Sequence, residues 1–390
     1  MRVLIAGGGT GGHLYPGIAV ARQLLQRDPA TEVRFVGTAA GIEARVLPRE
    51  GFALDVIRVA GLKGTSLLKL ARSVGLLPLS ALDAWRVISR FRPDVVVGVG
   101  GYASGPVLML AALRGRPTMV LEQNAQPGLT NRLLAPFVRA AAVNFDEALR
   151  FFPRTGFVAG NPVRPEFFAA SHAGPQPAVE EAHDRLRTNG AAHGAEAADS
   201  NASHRPSATA RVLIVGGSQG AHAINVAVVE AAPRLAAAGV PVAIVHQTGQ
   251  RDLDMVRAAY ERNGLEARVE AFIVEIDREM KEADLMVCRS GATTLAEVAA
   301  VGRPAVLVPF PGATDDHQLK NAQVFGRAGA AMVIEERQLD GERLAAAVGQ
   351  LVRDRAVLAR MGEAARRLAR PDAAERVAER VEQLGGRGAR

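Results

Sequence analysis

A single cysteine, few aromatic residues and no long apolar run set the first limits on this chain. With only Cys288 among 390 residues no internal disulfide can form, and its apolar setting, Asp284-Leu-Met-Val-Cys288, predicts a buried thiol in a reducing compartment. Aromatic residues make up 4%, and neither zinc-ligand spacing nor an RNA-recognition signature is present. Nucleic acid is therefore not an expected partner, although the formal net charge is +7. No stretch approaches the ~18 uninterrupted apolar residues of a spanning helix, because Lys69, Arg72, glycines and prolines interrupt the most apolar regions. The first residues lack a charged leader, a long apolar segment and a cleavage site, so export is not expected.

What is present is an alternation of short β-branched runs with amphipathic stretches. Arg2-Val-Leu-Ile-Ala6, Glu32-Val-Arg-Phe-Val36, Pro93-Asp-Val-Val-Val-Gly98 and Thr118-Met-Val-Leu121 read as strands between helices, the pattern of a parallel sheet covered on both faces. The pattern restarts at Arg211-Val-Leu-Ile-Val215 and continues through Val240–Val245, Asp284–Cys288 and Pro304–Pro309. The fold class expected is α/β, with two doubly wound Rossmann-like domains facing each other across a cleft. Residues 1–165 form the first domain and 211–370 the second, and a C-terminal helix in 371–390 is expected to pack back on the first. Residues 171–210, rich in Ala, His, Ser, Gly and Pro, have the composition of a disordered linker. A short helix around Ala178 to Arg187 is the one element expected there. Its histidines are about ten residues apart, which is not ligand spacing.

Both halves open on a strand, a glycine-rich turn and a helix start: Val3 to His13, echoed by Val212 to His222. Such a turn aims backbone N–H groups and the positive end of a helix dipole at an anion. Thr10 and His13 add a hydroxyl and a titratable ring to the first. Gly98–Pro106 and Leu121-Glu-Gln-Asn124 follow later strands, at the edge where open α/β sheets bind ligands, which marks Glu122 as a candidate catalytic or binding carboxylate. Arg164, in Gly160-Asn-Pro-Val-Arg164, is a guanidinium at the domain junction suited to a diphosphate. In the second half, Cys288-Arg-Ser-Gly-Ala-Thr-Thr-Leu-Ala-Glu297 offers N–H groups to phosphate, with Glu297 one turn inside the helix. Gln318 and Asn321 follow on an incipient helix. Asp315-Asp316 lacks a third ligand, so no metal is expected.

Taken together, GGGTGGHLYPG at Gly7, GGYASGP at Gly100, LEQNAQPGLTN at Leu121, GNPVR at Gly160, GGSQGA at Gly216, CRSGATTLAE at Cys288 and DDHQLKNA at Asp315 closely resemble the MurG family of GT-B glycosyltransferases. The resemblance covers nearly the whole chain outside residues 171–210. It implies GlcNAc transfer from UDP-GlcNAc to undecaprenyl-diphosphate-linked muramyl-pentapeptide at the cytoplasmic face of a bacterial inner membrane, with no cofactor. It further implies that the Ile273 backbone reads the uracil. Ala292, Thr293, Thr294, Leu295, Ala296 and Glu297 would hold phosphate and ribose, and Gln318 the sugar. Ser218, Arg164, Asn124 and Thr10-Gly11-Gly12 complete the contacts. Leu121 stands where many relatives have a histidine, and the interdomain segment is longer than expected for the family.

The inverting displacement so implied needs a base for the acceptor hydroxyl and donors for the departing diphosphate. His13 is the first candidate base by its ordinary pKa and Glu122 the second. The second glycine-rich loop is expected to take UDP and the first the lipid diphosphate. Three alternatives stay open on the sequence alone: a UDP-GlcNAc 2-epimerase of the same fold, an NAD-dependent dehydrogenase, and a non-catalytic cell-wall or division scaffold. The dehydrogenase is disfavoured because Phe35-Val-Gly-Thr-Ala39 lacks the expected acidic residue. Cell-wall synthesis or division proteins are a further partner class. An anionic membrane surface is expected to meet an apolar, cation-rimmed face between Leu62 and Arg92.

Overall fold

The computed structural model describes residues 1–59, 75–169, 209–217 and 220–386. The first sheet contains β1 (Arg2–Gly7), β2 (Glu32–Gly37), β3 (Ala53–Val56), β4 (Val95–Gly100), β5 (Thr118–Glu122), β6 (Ala140–Val143) and β7 (Gly156–Val158) in the order 3-2-1-4-5-6-7. Every pairing is parallel. The second contains β8 (Ala210–Val215), β9 (Val242–Gln247), β10 (Ala267–Glu270), β11 (Leu285–Cys288), β12 (Ala305–Leu307) and β13 (Ala331–Val333) in the order 10-9-8-11-12-13, again all parallel. Central strands such as β4 (Val-Val-Val-Gly-Val-Gly) and β11 (Leu-Met-Val-Cys) are buried throughout, as helices on both faces require. Cys288 lies in the second core, and burial pushes its thiol up to about 12.

In both sheets the order reverses beside the first strand, between β1 and β4 and between β8 and β11. The crevice at such a reversal is where doubly wound sheets take ligands. The helices that begin there are α1 (Gly11–Arg27), after β1, and α9 (Ala292–Val301), after β11. Between them in sequence come α2 (Glu43–Val46), α3 (Leu77–Phe91), α4 (Ser104–Leu113), α5 (Leu129–Leu134), α6 (His222–Ala237), α7 (Leu253–Arg262) and α8 (Ile276–Glu282). After α9 follow α10 (His317–Arg327), α11 (Gly341–Arg353), α12 (Arg355–Leu368) and α13 (Ala373–Leu384).

The chain returns to the first domain at its end. Val377, Ala378 and Val381 of α13 enter the core formed by Met1, Val3 and Leu24, and Arg27 of α1 pairs with Glu375, Glu379 and Glu382. The return lies close against the outward crossing: a side chain at Gly160 would collide with the Arg370 stem, its Cβ only 2.4 Å from that of Arg370. Ala210, placed in the linker by composition, is the first residue of β8 and fully buried. The expected helix at Ala178 to Arg187 lies outside the described residues.

Candidate active site

The two helix starts meet across the cleft. Thr293 Oγ1, in the first turn of α9, donates to the Gly12 carbonyl in the first turn of α1 at 3.0 Å. Asn161 Nδ2 donates to the same Thr293 hydroxyl at 3.4 Å. Further along the cleft Arg132 pairs with Asp315 at 2.7 Å, which gives that carboxylate a cationic partner, and Arg327 pairs with Glu147 at 2.5 Å.

His13 lies in this contact region. Its ring packs on Gly100, where an added Cβ would come within 2.7 Å of the imidazole, and Gly100 has φ +96°, a conformation open to glycine. Gly101 beside it has φ +81° and faces the Gly8 carbonyl, 2.4 Å from where its Cβ would be. Two glycines thus let the β4 loop lie flat beneath the ring. Thr10 Oγ1 and His13 Nδ1 are 3.2 Å apart. Desolvation and, next, the nearby His317 together lower the His13 pKa to about 4, against the opposing effect of a hydrogen bond with the Gly8 backbone. The neutral form of the ring therefore predominates at physiological pH.

The first glycine-rich loop is not an open anion cradle along its whole length. Glu43, fully buried at the start of α2, accepts the Gly9 N–H at 2.7 Å and the Thr38 N–H and hydroxyl at 2.8 and 2.9 Å. Burial alone would raise its pKa, but these donors outweigh burial and hold it below the usual range. The Gly8 N–H is bonded to the Gly100 carbonyl. With Gly8 and Gly9 committed and a carboxylate inside the turn, the first-turn N–H groups of Gly11 and Gly12 are what this turn offers an anion, beside a Thr10 hydroxyl that already faces His13. The expectation that the whole loop takes a diphosphate is narrowed accordingly.

Glu122 ends β5 and is 3% exposed. Its carboxylate accepts the Asn124 N–H (2.9 Å), Asn124 Nδ2 (3.2 Å), the Gly128 N–H (3.1 Å) and Asn131 Nδ2 (2.8 Å). Burial raises its pKa and these four donors oppose the rise. A carboxylate so fully engaged shapes the loop from Glu122 to Asn131 and has little capacity left for an acceptor proton. Asn124, at the tip of that loop, is held by Asn321 of α10.

In the second domain Ala292 to Glu297 fall in the first two turns of α9, with Glu297 one turn inside the helix, as the motif suggests. Burial raises its pKa to about 7, Arg164 opposes that, and Asp277 adds to it. The Arg164 guanidinium lies over Tyr15 of α1 at 5.8 Å and over Phe167 of its own segment at 5.0 Å, and its charge acts on Glu297 of α9. Gln318 accepts the Phe310 N–H through Oε1 at 3.0 Å, and its carbonyl accepts the Ser290 hydroxyl at 2.8 Å. Ser218 lies outside the described residues.

Ile273 is buried, with its N–H donated to Gln247 Oε1 at 2.8 Å, while Gln247 Nε2 donates to the Gly217 carbonyl at 2.9 Å. Sequence reasoning missed Gln247, Glu43 and the clasping role of Asn321. Gln247 carried the same signal that marked Glu122, a polar residue at the C-terminal end of a strand.

The glycosyltransferase family 28 N-terminal domain matches residues 3–143 and the glycosyltransferase family 28 C-terminal domain residues 211–377. A UDP-N-acetylglucosamine–N-acetylmuramyl-(pentapeptide) pyrophosphoryl-undecaprenol N-acetylglucosamine transferase of Pelobacter propionicus is 45% identical over 385 residues, 98% of this chain and 99% of the relative. The crystal structure of Acinetobacter baumannii MurG superimposes with a TM-score of 0.74 at 30% identity, covering 98% of this chain and 99% of that one. A putative UDP-N-acetylglucosamine 2-epimerase from Listeria monocytogenes has a TM-score of 0.65 at 14% identity over 98% of this chain and 96% of its own, a likeness of fold alone.

Proposed function

The chain belongs to the MurG family within glycosyltransferase family 28, and from that premise we propose how its two domains divide the work. The reaction is the transfer of GlcNAc from UDP-GlcNAc to the muramyl sugar of undecaprenyl-diphosphate-linked muramyl-pentapeptide. The second domain takes the donor. The N–H groups that open α9 and the Arg164 guanidinium receive the diphosphate, Glu297 accepts from the ribose hydroxyls, and Gln318 meets the GlcNAc. With its N–H held by Gln247, Ile273 keeps its carbonyl to accept from a uracil N–H. The first domain takes the acceptor at Thr10, Gly11 and Gly12, with His13 as the base.

One observation carries this division: the Thr293–Gly12 hydrogen bond, which joins the donor-side helix start to the one bearing His13. Neutral His13 removes the proton as the acceptor 4-hydroxyl attacks the anomeric carbon. The C–O bond to UDP breaks on the opposite face, and the leaving diphosphate is stabilised by preorganised N–H groups and Arg164. Glu122 serves as the positioning residue that holds Asn124 in the cleft.

The test uses radiolabelled UDP-GlcNAc with and without a synthetic lipid-linked muramyl acceptor. Label should move to lipid only when acceptor is present. Conversion of the donor alone would favour an epimerase.

The acceptor reading also calls for approach to a bilayer, since no helix among the described residues is long and apolar enough to cross one. We place that contact on α3, at the cytoplasmic face of the inner membrane. Ala84, Val87, Ile88 and Phe91 face the core, while Leu79, Leu82 and Trp85 are exposed on the other side. Leu113, Leu133 and Phe137, on or just beyond the neighbouring α4 and α5, are exposed as well. Arg114 lies over the Trp85 ring at 4.2 Å, and Arg86 and Arg90 are largely exposed beside it. Lys63, Lys69 and Arg72 lie outside the described residues.

A further inference from the structure

A cavity of about 170 Å³ lies between the domains, with Asn161 in its wall. Both crossings of the chain line it: Asn161, Val163 and Phe168 from the outward segment, Leu368 to Arg370 from the return. Phe145 closes it from the first domain, and Ala299 of α9 and Phe325 of α10 from the second. Anything held there touches both domains and both connections between them.

Two features describe the occupant. Asn161 is 3% exposed and commits Nδ2 to Thr293, yet its Oδ1 has no partner. An acceptor buried without a donor is unfavourable, so the cavity favours a guest that donates a hydrogen bond. The lining charges are the carboxylates of Asp146 and Glu147 and the guanidinium of Arg370, two negative and one positive. Glu147 is answered from outside by Arg327, and Arg370 donates to the carbonyls of Arg367 and Ala369. Asp146 stands exposed at the rim with no ion pair among the described residues. Size narrows the choice further, because an apolar cavity of about 150 Å³ holds a benzene-sized guest.

We propose that this hinge cavity is a ligand site for a small organic monocation with one apolar ring. Its ammonium would donate to Asn161 Oδ1 under the field of Asp146, and its ring would sit among Phe145, Phe168 and Phe325. The guest touches both chain crossings, and Ala296 is the one lining residue that the cavity shares with the residues assigned to the donor.

The probe is benzylamine, titrated into the full-length protein by calorimetry, alone and with saturating UDP. One saturable site per chain is expected, unaffected by UDP. Asp146→Asn should weaken binding about two- to fivefold by removing an exposed compensating charge, and Ala299→Phe, which fills the cavity, should abolish it. Asp146 is on the exposed rim, so its variant keeps the test decisive should Ala299→Phe disturb the packing of α9. No saturable binding, displacement by UDP, or an unchanged affinity in Asp146→Asn would overturn the proposal. UDP affinity measured on the same protein separates failure here from failure of the donor-site reading.

Discussion

Asn321 on α10 grips the Asn124 loop of the other domain at two points. Its Oδ1 accepts the Ala125 N–H at 2.8 Å and its Nδ2 donates to Asn124 Oδ1 at 3.1 Å, with the Ser290 carbonyl as a second acceptor at 3.3 Å. The side chain is fully buried, so water does not compete for these bonds. Because it is a clasp between domains, Asn321→Ala should lower kcat and raise the KM for UDP-GlcNAc, together costing about tenfold or more in kcat/KM. Steady-state kinetics with small-angle scattering checks this. Wild-type kinetics in a folded variant would remove Asn321 from the closing machinery.

His13→Ala should lower kcat by about 10² or more, as for loss of a general base, with UDP affinity little changed. Because the folded pKa is lowered to about 4, the neutral, competent form persists above that pH and is lost only as pH falls through it. The acid limb of kcat/KM assigned to His13 should lie near 4, well below an ordinary histidine. A limb near 6.5 that vanishes in the variant would contradict the half-buried, neutral ring.

Glu122→Ala should also cost about 10² in turnover through misplacement of Asn124 in the cleft, together with a lower thermal midpoint, since four donors in the Glu122–Asn131 loop lose their acceptor. Activity loss with an unchanged or raised midpoint would return Glu122 to the list of candidate bases.

Sequence patterns revealed β1, β2, β4, β5, β8, β9, β11 and β12, and put His13 at a helix start, because their signals are local: β-branched runs, a glycine-rich turn, a titratable residue just beyond it. The short outer strands β3, β6, β7, β10 and β13 were not read. Glu43, Gln247 and Asn321 were less legible because their meaning is set by distant partners. Nothing near Glu43 says that it will fill the turn at Gly9, 34 positions away. Nothing around Asn321 says that it will meet Ala125, 196 positions away. Only the assembled sheets, with their order reversals facing each other, bring those pairs together.

Glu297→Gln separates binding from stability. Loss of the carboxylate should raise the KM for UDP-GlcNAc severalfold with kcat nearly unchanged, because ribose contacts persist in the ground state. Stability should move the other way. The folded pKa of about 7 exceeds the unfolded value, so wild type is progressively destabilised as pH rises from about 4.5 through 7. The glutamine variant should therefore be more stable than wild type at pH 8, by about 1–3 kcal/mol, and equal to it near pH 4. Thermal or urea unfolding at the two pH values decides it, and an equal difference at both would show that burial does not control the group.

The exposed stripe of α3 yields the last prediction. An apolar patch with arginines at its rim can enter a bilayer shallowly while each cation near anionic headgroups contributes about 1 kcal/mol. Two of those cations are partly answered by protein carboxylates, Arg86 by Asp83 at 3.8 Å and Arg90 by Asp55, so the electrostatic part should be modest and salt-sensitive. The apolar part should then dominate. Leu82→Gln with Trp85→Gln should abolish co-sedimentation with anionic vesicles at low salt, whereas Arg86→Glu with Arg90→Glu should only weaken it. Both pairs leave the inward stripe of Ala84, Val87, Ile88 and Phe91 intact, so folding and transfer to a water-soluble acceptor analogue should persist. If the doubly apolar-to-polar variant pellets with vesicles as well as wild type does, the membrane face lies elsewhere on the molecule.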